Sequence, residues 1–328
     1  MRTSIVEADL TFVGAGPVGL YGAYYAGFRG LTTTIVDPLP HVGGQVSALY
    51  PEKTIYDVAG FPSIKGQDLI DNLAEQAGRF SPRYLLGEEA ETLLRDAAGF
   101  TVTTSAGTVI RSGAIVLTAG AGSASPRPLP CGDEFVGRGL HYFVPSLSVF
   151  DDKDVVVVGG GDSAVDWALA ASERASSVAL VHRRRTFRAH EHSVELLQKS
   201  DCELILDAEV SRIEGGEQVR SVVVEIAGET AQVSRNAQVV VAALGFKLRL
   251  GPLETWGLTL RNRSVLVDEA MRTNIEGVFA AGDIATHGGK VKLIAVGFGE
   301  VATAVNHAAV HLRPSQTLAP AHSSGGVN

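Results

Sequence analysis

Gly14, Gly16 and Gly19 stand at G-x-G-x-x-G spacing inside LTFVGAGPVG, residues 10–19. That spacing serves phosphate chemistry. The first glycine permits a tight turn out of a strand, the second lets backbone approach a pyrophosphate without a Cβ, and the third lets the next helix pack closely. A helix opening at Pro17 presents free N–H groups and a positive dipole end to the anion. Asp37 lies 23 positions after Gly14 at the end of a second apolar run, where an acid accepts from a ribose hydroxyl pair.

The design recurs further along. The run from Val155 to Val158 reads as a continuous apolar strand, and Gly159, Gly161 and Ala164 follow at G-x-G-x-x-A spacing around Asp162 and Ser163. Twenty-three positions after Gly159 stands not an acid but His182, which opens HRRRTFRAH with Arg183, Arg184, Arg185 and Arg188. A carboxylate there would repel a 2′-phosphate, whereas guanidinium forks bind one bidentately. The first turn is therefore expected to take a dinucleotide with a free ribose, such as FAD, and the second NADP(H).

The elements that must carry these turns are visible in the patterning. Helices are expected from Pro17 to Phe28, from Gln67 to Phe80 with Leu69, Ile70, Leu73 and Ala77 on one face, and from Ser163 to Arg174. Strands are expected from Thr32 to Val36 and from Ser177 to Val181. Phe100 to Thr104 and Thr108 to Arg111 read as a hairpin, followed by a separate buried strand from Ala114 to Thr118. The tail of the second copy matches, with a hairpin arm from Val219 to Ile226 and a buried strand from Gln238 to Ala243. The Gly- and Pro-rich stretch between Asp37 and Pro62 reads as a long ordered loop, too irregular for a helix.

TNIEGVFAAGD, residues 273–283, reads as a strand ending in Asp283, with a helix opening near Lys292. Asp283 is placed to bind a polar chain such as ribityl; an ordinary helix N-cap is the alternative. The fold class is α/β, with two Rossmann-like three-layer domains. Boundaries are expected at the Gly/Ser/Pro run after Thr118 and after Gly245, setting residues 122–245, with the second turn, apart from residues 1–121 and 246–328.

Composition narrows the function. With 45% apolar and 20% charged residues the 328-residue chain is an ordinary soluble composition. A net charge of −8 argues against bulk nucleic-acid binding. No apolar run approaches the roughly 20 residues of a membrane span, and the N-terminus lacks a signal peptide's pattern, so no membrane role and a cytoplasmic location are expected. Cys131 and Cys202 are too far apart in sequence for a C-x-x-C pair and read as buried apolar residues; His190 and His192 lack a third ligand, so no metal is expected.

Through VGAGPVG, GGGDSAVDWAL with HRRRTFRAH, and TNIEGVFAAGD, the chain resembles the thioredoxin reductases over essentially its full length. It departs from them where their C-x-x-C pair should stand, since GRGLHYFVPSLSVFDDKDVVVVGGG has no cysteine. In that respect, and in the loop ALYPEKTIYDVAGFP and a C-terminal extension over residues 314–328, it is similar to the thioredoxin-reductase-like ferredoxin–NADP+ reductases. The resemblance implies that the NADP(H) domain, residues 122–245, is inserted into a discontinuous FAD domain, residues 1–121 and 246–328, and that a flavin accepts hydride from NADPH and returns single electrons to ferredoxin, or flavodoxin. It implies that Tyr50 stacks on one face of the isoalloxazine and His322, from the partner of a homodimer, covers the other. One ring, His322 above all, or the NADP(H) domain is then expected to move aside for nicotinamide. It implies Ser324 near flavin N5 and Gln45 against the ring. Arg185 departs from the family, which often has an aspartate there, and is expected to strengthen phosphate binding. Lys290 and Lys292 are candidates for docking ferredoxin. The rival readings are a flavodoxin, quinone, disulfide-carrier or oxygen reductase of the same fold, and a non-catalytic flavin-binding redox sensor.

Overall fold

The computed structural model describes residues 4–144, 146–230 and 232–319. The chain divides into two compact units, residues 1–123 with 248–328, and residues 124–247.

The first unit is built on a seven-stranded sheet. At its centre Ile5–Val13 runs parallel to Thr33–Asp37 on one side and to Val109–Leu117 on the other. Arg83–Leu86 extends one edge in parallel, and Val278–Ala280 returns from late in the chain to pair beside Val109–Leu117. Leu10, Phe12, Ile35, Ile115 and Leu117 are fully or almost fully buried, as near-continuous apolar strands covered on both faces must be. The cover includes Pro17–Phe28 and Ile294–Leu312. The two helices approach closely because Gly22 has no side chain: a Cβ there would lie 2.6 Å from both Phe12 and Val301.

The structure departs from expectation in two places here. Val109–Leu117 is a single nine-residue strand, not a hairpin arm followed by a separate strand. One edge pairs parallel with Ile5–Val13 along its whole length, while the other pairs antiparallel with Gly99–Thr104 in the first half and parallel with Val278–Ala280 in the second. Ser112 and Gly113 look like a break in sequence, yet Ser112 is buried with its hydroxyl bonding the Ala114 carbonyl, and a Cβ on Gly113 would strike Leu312 at 2.3 Å. The second departure is in the Gly- and Pro-rich stretch, which contains a short helix, Gln45–Leu49, and a ribbon pairing Thr54–Ile55 with Ile64–Lys65. Buried Val46 anchors that helix in the core. The amphipathic helix expected near Gln67 spans Gly66–Gly78, with Leu69, Ile70, Leu73 and Ala77 buried.

The second unit repeats the parallel core with five strands. Asp154–Val158 lies between Ser177–His182 and Val239–Ala242, with Glu203–Leu206 beyond the former. Asp162–Ser172 is the crossover helix, and Glu191–Lys199 is a second helix that the sequence patterning did not single out. A three-stranded antiparallel sheet of Ala208–Gly215, Val219–Ile226 and Gln232–Asn236 completes the unit. Cys202 is buried and Cys131 half-buried; both are free thiols. Burial, opposed only in part by backbone hydrogen bonds, pushes Cys202 up to about 11 and Cys131 upward as well, so neither is poised as a thiolate.

Candidate functional site

In each unit the glycine turn sits where the first parallel strand of the repeat meets its helix. Gly14 takes φ +116°, and a Cβ there would lie 2.4 Å from the Thr118 carbonyl; Gly159 takes φ +152° with the Ala243 carbonyl equally close. These first glycines are needed because each turn abuts the end of the neighbouring strand. Gly19 serves helix packing, since a Cβ would stand 2.0 Å from the Gly14 carbonyl. Gly16 is different: a Cβ would meet nothing within 4 Å, and at Gly161 only the Arg188 carbonyl at 3.9 Å. Both are helix N-caps in extended backbone, and neither helix has a side chain capping its first turn. Open space over a bare glycine in front of uncapped helix amides is what a pyrophosphate requires.

The two turns differ in what closes them. Asp37 ends its strand buried, with one carboxylate oxygen accepting the Ala15 N–H at 2.7 Å and the other the Leu39 N–H at 2.9 Å. Burial raises its carboxyl above the ordinary range against the downward pull of those two amides. In the second unit His182 stacks on Phe187 at 5.3 Å between ring centroids. The basic loop then folds back onto the turn: the Arg188 N–H donates to the Gly160 carbonyl at 2.7 Å, and the His190 N–H to Asp162 at 2.9 Å. Arg183, Arg184 and Arg188 are exposed, and among the described residues their guanidinium groups have no ion pair or hydrogen bond. Arg185 is not among these open cations. Its Nε bonds Asp207 at 2.6 Å, although its side chain is 84% exposed.

Beside the first turn the structure brings together Tyr50, Gln45 and Asp283. Tyr50 follows the short helix, half-buried, with the Lys53 ammonium 5.8 Å from its ring centroid. Burial, then the charges of Asp283 and Asp57, push its hydroxyl up to about 12. Gln45 donates to the Gly122 carbonyl at 3.2 Å. Asp283 lies in a single helical turn, Gly282–Ile284, and does not cap the long helix, whose N-cap is Leu293. Its carboxylate has no hydrogen bond or ion pair among the described residues. His322 and Ser324 lie outside the described residues.

Sequence reasoning misplaced one lysine and missed its partner. Lys290 is no surface docking residue: its side chain is 7% exposed and its ammonium lies 2.6 Å from Glu300, which is equally buried. Lys292 is exposed.

Two strand–turn–helix units, one closed by an acid and the other by open arginines, define a protein that holds two dinucleotides. The chain belongs to the pyridine nucleotide-disulphide oxidoreductases, matching that family over residues 8–308, and among them to the ferredoxin–NADP reductases. It is 53% identical over 325 residues to a ferredoxin–NADP reductase of Nocardioides sp., covering 98% of each chain. It is 47% identical over 324 residues to one of Thermus thermophilus, covering 97% of each. Among solved structures it is similar to T. acidophilum thioredoxin reductase, with TM-score 0.80 and 25% identity over 92% of this chain and 98% of that one.

Proposed function

We propose that the protein is a ferredoxin–NADP+ reductase, with FAD held by the first unit, NADP(H) by the second, and ferredoxin or a flavodoxin as the electron-transfer partner. The observation that carries this reading is the contrast between buried Asp37 at one turn and open Arg183, Arg184 and Arg188 at the other; the 46–54% identity to ferredoxin–NADP reductases supports it. Bound FAD would supply the exchange between a two-electron hydride carrier and one-electron iron–sulfur carriers.

The chain's own residues bind and orient. Gly14, Gly16, Pro17 and Gly19 shape the turn whose helix amides receive the FAD pyrophosphate, and Asp37 accepts from the ribose hydroxyls. Asp283 accepts from the ribityl chain. Gln45 and Tyr50 meet the ring, the phenol staying neutral and excluding water from that face. Gly159, Gly161, Asp162, Ser163 and Ala164 form the second phosphate turn, with His182 beside it, and Arg183, Arg184 and Arg188 clamp the 2′-phosphate. His322 and Ser324 complete the flavin site, His322 from a partner subunit, so the working unit is a homodimer; the enzyme acts in the cytoplasm. No described helix is long and apolar enough to cross a membrane.

The test is anaerobic reduction of ferredoxin, flavodoxin, a quinone and oxygen under NADPH, with sedimentation for the dimer. Ferredoxin or flavodoxin reduced fastest is the expected result. Faster turnover with oxygen or quinone would overturn the choice of acceptor.

A further inference from the structure

Glu300 and Lys290 are buried charges for which neither phosphate turn has a use. Both point at the backbone of one residue, Gly282. One Glu300 oxygen accepts the Gly282 N–H at 2.9 Å, and the Lys290 ammonium donates to the Gly282 carbonyl at 2.9 Å. The ammonium also bonds both Glu300 oxygens, at 2.7 and 2.6 Å, and His287 reaches the same carboxylate at 3.1 Å. Gly282 takes φ +76°, and a Cβ there would lie 3.1 Å from Val18 of the helix that opens at the first glycine turn. The next residue is Asp283, whose carboxylate is left without a partner among the described residues.

A buried ion pair is a poor source of net stability, because desolvating both charges offsets their attraction. What this one does is hold the backbone N–H and C=O of Gly282, on either side of a residue in left-handed backbone, which fixes the direction in which the chain enters Asp283. We propose that Lys290 and Glu300 are positioning residues that aim Asp283 at its ligand and so set the affinity of the first unit for FAD. The proposal rests on the reading of Asp283 as the ribityl acceptor.

Apoprotein of Glu300→Gln, Lys290→Met, Asp283→Asn and the Asp283→Asn/Glu300→Gln double variant is titrated with FAD, alongside apoprotein melting and the visible absorption band of bound flavin. Glu300→Gln is expected to weaken FAD binding about tenfold or more and to shift the band. The double variant is expected to bind no more weakly than Asp283→Asn alone, and NADPH binding to stay unchanged. Should Glu300→Gln fail to fold, Lys290→Met carries the same comparison. Weakened FAD binding in Asp283→Asn with unchanged affinity and band in Glu300→Gln and Lys290→Met overturns the positioning role alone, even if their melting temperatures fall. Unchanged FAD binding in Asp283→Asn overturns the reading of Asp283 and the proposal together.

Discussion

The carboxylate of Asp37 accepts the backbone N–H of Ala15 at 2.7 Å, tying the end of the second strand to the middle of the first glycine turn. An asparagine can accept only one of the two amides that Asp37 satisfies, so Asp37→Asn is expected to cost about 1–3 kcal/mol and to weaken FAD binding. The pH dependence has a definite sign. Burial raises the folded carboxyl, so the folded state keeps its proton after the unfolded chain has released one. Stability from this group therefore falls as pH rises from the unfolded value near 3.9 through the raised folded value. The melting temperature of wild-type apoprotein relative to Asp37→Asn should decline across that window; a constant difference would refute the burial effect.

The two kinds of glycine can be separated by experiment. Gly16→Ala places its methyl in open space, so the apoprotein should fold normally and lose FAD. Gly19→Ala forces a Cβ to 2.0 Å from the Gly14 carbonyl and should lower the melting temperature with or without flavin. Unimpaired FAD binding by Gly16→Ala would place the pyrophosphate elsewhere.

Cofactor choice should follow the open arginines alone. Arg183→Ala with Arg184→Ala should weaken NADPH while sparing NADH, each lost charge-assisted bond costing on the order of 1.5–3 kcal/mol. Arg185→Ala should leave NADPH affinity nearly unchanged, because Arg185 is engaged by Asp207. Equal losses for NADPH and NADH would contradict the assignment.

Tyr50 gives an alkaline signature. With its hydroxyl pushed up to about 12, the folded state holds the phenolic proton above the unfolded value of about 10, so its contribution to stability falls only as pH rises between the two. Tyr50→Phe should remove that alkaline decline in melting temperature and leave the neutral-pH profile of FAD binding unchanged. Tyr50→Ala should weaken FAD binding at every pH.

What was legible in the sequence was local. The bounds of Pro17–Phe28 follow from a proline at the helix start and from glycines at fixed spacing, and Asp37 and Arg183 are found by counting from a turn. What was not legible depends on residues far apart in the chain. Lys290 shows its charge in sequence but not its burial beneath Glu300, and Arg185 looks like its neighbours until Asp207 is folded beside it. Gly113 looks like a strand break because the Leu312 side chain that requires it lies at the end of the last helix. The short helix Gln45–Leu49 was hidden by flanking glycines and prolines, and is held by the burial of Val46.

The late pairing of Val278–Ala280 against Val109–Leu117 has a consequence for biosynthesis. The ribosome delivers residues 124–247 as an uninterrupted stretch with its own core, while the first unit lacks the strand Val278–Ala280 and the helix Ile294–Leu312 until residue 312 has emerged. The inserted unit is therefore set to fold first during translation, and the first glycine turn waits for the carboxyl-terminal residues before its support is complete.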